Sequence, residues 1–508
     1  MAGNSDLARQ RWTSLALLGM LLALLTFHVV GVCLDFAAAI RYPFELGDGE
    51  GIVWQQAALI PGPRMYSTSQ ELPFIVFHYP PLYHLLAGAA RSIEPDFLAA
   101  GRLVSALATV LIAPTVAGLV LIAAQRDDRP VGGVEVAIAL AAGLLVLCLH
   151  AVRSWGPMMR VDMLAIMLST MGLLVGAWSS GRFWGTTAAL LLCVAALFTK
   201  QTQLPAGVAV FLIALLRNPR GAMGAAAVAG AVGLGAVGLM EMLTRNGFLL
   251  NIIGYNINSF SFERVARILW RERSSFPFMV LMLVAFVVLG RALLPSAARL
   301  RRRAGAAETW VLRKADRATA CQALLLLKFA LAAIMLPLTG KSGSNYNYLL
   351  DWLTTGCALI GVLLVHLARD GAGRGRWFEG ATFLLVVGVA ALPWREGSPR
   401  MSEEEAARRA ALVERIAAAQ NPVASVDETL LMRAGKPVVF ECAIVRELVR
   451  VGRWDDTPLV EMIRAHGFAF MITWNQSGCT PATDVAMREA YPRVEQVASD
   501  LWVHLPPG

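Results

Sequence analysis

Charge is scarce in this chain. Only 16% of its 508 residues are Asp, Glu, Lys or Arg, against roughly 25% in soluble globular domains. Hydrophobic residues make up 56%, and the mean hydropathy is +0.57, which excludes an ordinary soluble protein. The seven cysteines show no paired zinc-type spacing, so no zinc ribbon or knuckle is expected. No glycine-rich loop precedes a helix, which argues against a nucleotide-bound substrate. Internal repeats and low-complexity tracts are missing as well. The net charge of +9 comes without a basic-aromatic motif, so nucleic acid is not the implied partner.

What is there instead is a succession of apolar runs, each long enough to cross a hydrocarbon core of about 30 Å. They fall at 13–35, 98–123, 132–152, 161–179, 183–199, 203–217, 222–243, 276–295, 318–339, 346–367 and 378–394. The fold class expected is an all-α polytopic membrane protein of about eleven crossings, with a small C-terminal α/β domain. The first run follows Arg9 and Arg11 and is too long for a signal-peptide core, so it reads as a retained anchor. With a cytoplasmic N-terminus, the inner loops hold Arg126/Arg129, Arg182, Arg217/Arg220, Arg299 to Arg317 and Arg369/Arg374/Arg376, and every one is basic. Trp12, Trp184, Trp310 and Trp377 then mark inner boundaries, and Trp155, Trp270, Trp352 and Trp394 outer ones. The stretch 81–92 reads as a juxtamembrane helix, since counting it as a crossing would invert every later loop.

This threading divides the chain into a transmembrane domain (1–394), whose outer loop 36–97 is large, and an extracytoplasmic domain (395–508). The expected location is a bacterial cytoplasmic membrane, with membrane lipids as surroundings. In the tail, Ser402-Glu403-Glu404-Glu405 opens a helix as an N-cap followed by acids does. Short β-rich runs at Val423–Val426, Pro437–Glu441 and Phe468–Trp474 alternate with helical patterns. Cys33, Cys148, Cys193 and Cys357 lie in apolar runs as small core residues. Cys442 and Cys479 share the tail, and a disulfide between them is open if the tail lies outside the cytoplasm.

Chemistry concentrates on the outer side. Gly47-Asp48-Gly49-Glu50-Gly51 places two carboxylates on a glycine-flexed loop beside a bilayer, where acids are costly unless they have a task. Asp48 or Glu50 suits a general base, with the other binding the acceptor or a cation. Tyr79-Pro80-Pro81-Leu82-Tyr83-His84 puts proline where a first helical turn tolerates it. The helix that follows carries an apolar stripe that fits the membrane surface, and His84 on it reads as solvated. Arg102, Arg153, Arg160, Lys200 and Lys341 fall near outer ends of spans, where cations suit a phosphate leaving group. Asp162 stands close to Arg160 as a pairing partner.

These residues resemble the GT-C superfamily of integral-membrane glycosyltransferases, close to its Rgt-like and protein O-mannosyltransferase-related bacterial members. The resemblance rests on Asp48/Glu50, on Ala57-Ala58-Leu59-Ile60-Pro61-Gly62-Pro63-Arg64-Met65-Tyr66, and on Tyr79-Pro80-Pro81-Leu82-Tyr83. It continues in the Arg102 helix, Arg160-Val161-Asp162-Met163 and Phe198-Thr199-Lys200, covering about residues 40 to 220. It implies a polyprenyl-phosphate-linked monosaccharide as donor, used on the outer face with inversion, and an acceptor hydroxyl on lipid, glycan or protein. By the same resemblance Asp48 or Glu50 is the base, although Gly49 separates acids that are adjacent in the O-mannosyltransferases. Arg102, Arg160, Lys200 and Lys341 are the expected phosphate-binding set, and Tyr66, His78, Tyr79, Pro81, Tyr83 and Asp162 the expected cleft. No cofactor is required, and a divalent cation on Asp48 and Glu50 is an open alternative.

Two other readings share the substrate class. A flippase for a lipid-linked saccharide would carry paired interrupted helices near the midplane. A surface-polysaccharide ligase or polymerase would place its large loop late in the chain. Here polar residues crowd the outer ends of the spans, and the large loop comes first.

Overall fold

The computed structural model describes residues 2–47, 49–125, 130–304, 315–369, 375–395, 402–474 and 478–508, with side chains outside 2–9 and 295–304. The chain begins with α1 (Ala2–Arg41), followed by the short α2 (Glu50–Ala58) and α3 (Leu82–Ala90) in the first long loop. The bundle continues through α4 (Phe97–Ala124), α5 (Gly133–Cys148), α6 (His150–Trp155), α7 (Asp162–Ser179), α8 (Phe183–Leu197), α9 (Leu204–Arg217) and α10 (Pro219–Leu243). A broken stretch holds α11 (Gly247–Leu249) and α12 (Phe262–Arg271), before α13 (Phe276–Ala304), α14 (Arg317–Ile334), α15 (Leu350–Arg369) and α16 (Gly375–Ala390). The tail contributes α17 (Glu403–Ala418), α18 (Glu428–Arg433), α19 (Cys442–Arg450), α20 (Thr457–Arg464) and α21 (Pro481–Ala490).

Each of the eleven apolar runs coincides with a helix, and among the described residues seven of these helices are long and apolar enough to span a bilayer. Helix α4 is the hub, packed on α5, α7, α14 and α15. Gly143 lets α5 approach closely, because a side chain there would meet the carbonyl of Ala113. Helix α3, at nine residues, is too short to cross and leans on α2 and α4 with Leu85 and Leu86 exposed. Its His84 is not solvated: it is fully buried, its Nε2 lies 3.2 Å from Gln56 Oε1, and burial pushes its imidazole down to about 4.

Trp12, Trp184, Trp270, Trp377 and Trp394 are exposed, in keeping with an aromatic belt, whereas Trp310 lies outside the described residues. Trp155 and Trp352 depart from it. Both are buried, the first holding Asp162 and the second stacked on Phe329. Lys328 and Asp351 form a buried ion pair between α14 and α15, the usual way an intramembrane charge is tolerated.

In the tail, β1 (Ala424–Ser425), β2 (Met471–Trp474), β3 (Arg493–Gln496) and β4 (Leu501–Leu505) form a sheet in the order β1-β2-β4-β3. Strand β1 runs parallel to β2, and the other pairs are antiparallel. Ser402 caps α17 as its sequence suggests, accepting from Glu405 N at 3.1 Å. The Pro437–Glu441 run does not join the sheet; Phe440 instead bridges to Phe74 of the first long loop, so this segment holds the tail to that loop. Cys442 and Cys479 are bonded.

Candidate functional site

Glu50 opens α2 and is completely buried, as is Arg102 on α4. Arg102 forks onto both carboxylate oxygens, Nε to Oε1 at 2.9 Å and Nη2 to Oε2 at 2.7 Å. The same oxygens accept from Met159 N at 2.6 Å and Leu46 N at 2.7 Å. Arg102 spends its remaining donors on the carbonyls of Ala39, Tyr42 and Phe44. Every strong partner of this pair is therefore protein, which is how a buried ion pair escapes its desolvation cost. Two expectations are corrected. Glu50 is a structural anion with no lone pair aimed at a substrate or cation, and Arg102 is its counter-ion, not part of a phosphate seat.

Asp48, the other expected base, lies outside the described residues. Its neighbour Gly49 is well placed to explain the loop. It sits at φ +92°, a left-handed conformation suited to glycine, and any side chain there would overlap Nη1 of Arg160. The guanidinium of Arg160 thus lies directly against the loop that carries Asp48. Its carbon is 5.3 Å from the ring centroid of Trp155, and Ser105 Oγ donates to its carbonyl at 3.1 Å.

Tyr79 ends an extended segment whose backbone is tied residue by residue to side chains. Gln56 Nε2 donates to Val76 O at 2.8 Å, and Phe77 N donates to Asn251 Oδ1 at 3.0 Å. Gln201 Nε2 donates to His78 O at 2.9 Å, and Tyr66 OH to Tyr79 O at 2.7 Å. A non-sheet strand with this satisfaction is held as firmly as a ladder would hold it. Tyr66 is buried between Phe77 and Phe248, and Tyr83 is buried with its hydroxyl on Gly101 O and Ser105 Oγ. Pro81 is buried too. These three expected cleft residues are supports under the site, whereas half-buried Tyr79 and His78 remain at its surface.

Cations gather where Tyr79 ends. Lys200 pairs with Asp162, whose second oxygen accepts from Trp155 Nε1 at 2.9 Å. The Lys200 ammonium lies 4.5 Å from the ring centroid of Tyr348 and within electrostatic reach of Tyr79. Arg160 feels both Tyr79 and Asp162. Burial, helped by the Lys200 charge, pulls the Lys341 amine below its ordinary value. Arg160, Lys200 and Lys341 thus share one locality, in which Asp162 pairs with Lys200 and Asp162, Glu45 and Glu50 all act on Arg160. Arg153 is elsewhere, donating to the carbonyls of Pro393 and Trp394.

Sequence reasoning missed three contributors. Trp155, expected at a membrane boundary, orients Asp162 and underlies Arg160. Tyr348 reaches Lys200 from a turn 148 positions away, given as 348 less 200. Glu45 accepts from Glu50 N at 2.6 Å, and burial together with Asp427, Glu428 and Glu50 raises its carboxyl well above the usual range. Glu45 stands three positions before Asp48 in the sequence, so the acid content of Phe44 to Gly51 was the available signal for Glu45. Beyond these, a cleft of about 560 Å³ opens between the first long loop and the tail, lined by Arg64, Ser67, Ser69, Glu71 and Lys436. Among the described residues no cluster of three His, Cys, Asp or Glu side chains is arranged for a metal.

No family model matches the sequence, and no curated protein matches it. Solved structures do. The chain is similar to ArnT from Cupriavidus metallidurans bound to undecaprenyl phosphate, with a TM-score of 0.56, 14% identity, and 95% of this chain and 99% of that chain covered. The apo structure of the same protein gives a TM-score of 0.52 with the same identity and coverage. The oligosaccharyltransferase AglB from Archaeoglobus fulgidus, with an inhibitory peptide and a dolichol-phosphate, aligns at a TM-score of 0.47 and 10% identity over 91% of this chain and 72% of that one. The likeness to ArnT over nearly the whole of both chains shows that this chain shares its fold, and the helical bundle with a small C-terminal sheet is the architecture expected from the sequence.

Proposed function

We propose that this protein is a membrane glycosyltransferase that moves a monosaccharide from a polyprenyl-phosphate donor to an acceptor hydroxyl, with inversion and with Asp48 as general base. The observation that carries the reading is the gathering of three cations, with Lys200 over Tyr348 and acting on Lys341, and Arg160 near Tyr79 and against Gly49 of the loop that bears Asp48. A sugar phosphate leaves as an anion, so fixed cations stabilise the charge that develops in the transition state, and no general acid is required. A carboxylate withdraws the acceptor proton, typically worth 10²–10⁴-fold. Asp162 keeps Lys200 charged and aimed.

The fold similarity to a protein solved with undecaprenyl phosphate favours a lipid-linked donor over a free sugar phosphate. The bonded Cys442–Cys479 favours an oxidising compartment for the tail, hence action on the outer face of the cytoplasmic membrane. With Glu50 committed to Arg102, a cation bridging Asp48 and Glu50 loses one of its two ligands. Membranes holding the protein, given a panel of radiolabelled polyprenyl-phosphate sugars, should move label into lipid, glycan or protein fractions. No transfer from any donor, by protein that is folded and membrane-inserted, would overturn the reading.

A further inference from the structure

Helix α19 touches both walls of the cationic cluster. Its N-cap residue, Glu441, lies 2.8 Å from His78 Nε2, one residue before Tyr79. Six residues on, Glu447 accepts from Ser259 N at 3.2 Å and Ser259 Oγ at 3.0 Å. Ser259 is bound in turn to the loop of Lys341, because Ser342 N donates to Ser259 O at 2.7 Å and Ser261 N to Gly340 O at 2.9 Å. Burial acts to raise the Glu447 carboxyl, but hydrogen bonds from Ser342, Arg450 and Ser259 outweigh it and hold the group below its ordinary value. A helix advances about 9 Å over six residues, so one turn and a half of α19 bridges the two loops. Its start is fixed by the Cys442–Cys479 bond and by Phe74 N donating to Val439 O at 2.8 Å.

We propose that the tail is a brace for the site, in which Glu441 and Glu447 are positioning residues that hold the Tyr79 and Lys341 loops at the separation a lipid-linked phosphate needs. The inference rests on the proposed function for the identity of that ligand. It gives the tail a task distinct from covering the membrane face. Neither carboxylate reaches the reacting atoms; each acts through a loop that does. Removing either contact frees one wall without removing any cation, so donor binding weakens while the chemical step on bound donor persists.

The test uses the full chain in nanodiscs, with undecaprenyl phosphate as the binding probe and transfer assays alongside. Glu441→Ala and Glu447→Ala should each weaken probe binding about tenfold and raise the donor KM to match, with kcat changed less than threefold. Glu441→Gln, which still accepts from His78, should recover most of the loss. Should an alanine variant fail to fold, the paired Ser259→Ala and Ser342→Ala substitutions remove hydroxyls from the same contact and should also raise the donor KM. Unchanged probe affinity in folded alanine or serine variants would overturn the brace while leaving the transferase reading intact. Wild-type protein that binds no polyprenyl phosphate overturns that reading, and the brace with it.

Discussion

Arg102 grips both oxygens of Glu50 in a fully buried fork, and this pair joins α2 of the first long loop to α4 of the bundle. Breaking a buried pair strands the remaining charge, at a cost of about 3–5 kcal/mol. Glu50→Gln and Arg102→Ala should therefore lose stability in detergent, read as a lowered unfolding temperature, and lose activity only as they lose fold. A Glu50→Gln protein with wild-type stability and no transfer would reassign Glu50 to the chemistry.

The cationic cluster makes a graded prediction. Lys341→Ala should weaken donor binding roughly tenfold, in line with one lost charge-assisted contact. Arg160→Ala and Lys200→Ala should do more, because Arg160 also supports the Asp48 loop and Lys200 leaves Asp162 unpaired. Donor titrations at increasing salt check the sign, since attraction of a phosphate to a partly exposed Lys341 falls with ionic strength.

Acidity should tighten the tail. Burial pushes the Asp427 carboxyl up to about 6 in spite of Arg409, from an ordinary value of 3.8. The folded chain then keeps a proton that the unfolded chain releases across this window. The associated stability is complete below the ordinary value and is lost as the pH climbs through about 6. Glu45 is shifted in the same direction. Unfolding temperatures of the whole protein should fall as the pH rises from about 4 to just above 6 by this contribution. Asp427→Asn can still accept from Thr429 N, as Asp427 Oδ1 does at 3.0 Å, so it should flatten that part of the profile.

The bundle was legible because each crossing needs an uninterrupted apolar run, and that information is local. The α3 helix was legible for a related reason, since loop charge fixed the number of crossings. Partnerships across the chain were not. Nothing near Glu50 announces that Arg102, 52 positions away (102 less 50), takes both its oxygens. Arg102 and Lys200 look alike in sequence, each a cation near the outer end of a span, yet one is consumed by backbone carbonyls and the other faces Tyr348. His84 illustrates the same limit, because whether an interfacial helix is wet depends on what packs over it. In the tail, the Pro437–Glu441 run carried a strand signal but found its partner in the first long loop, outside the sheet.

The most direct measurement is single-turnover sugar transfer by Asp48→Asn, paired with undecaprenyl phosphate binding and thermal unfolding on the same preparation. The account predicts a folded protein that binds the lipid phosphate like wild type and transfers sugar roughly 10²–10⁴-fold more slowly. Wild-type transfer rates in Asp48→Asn would contradict it.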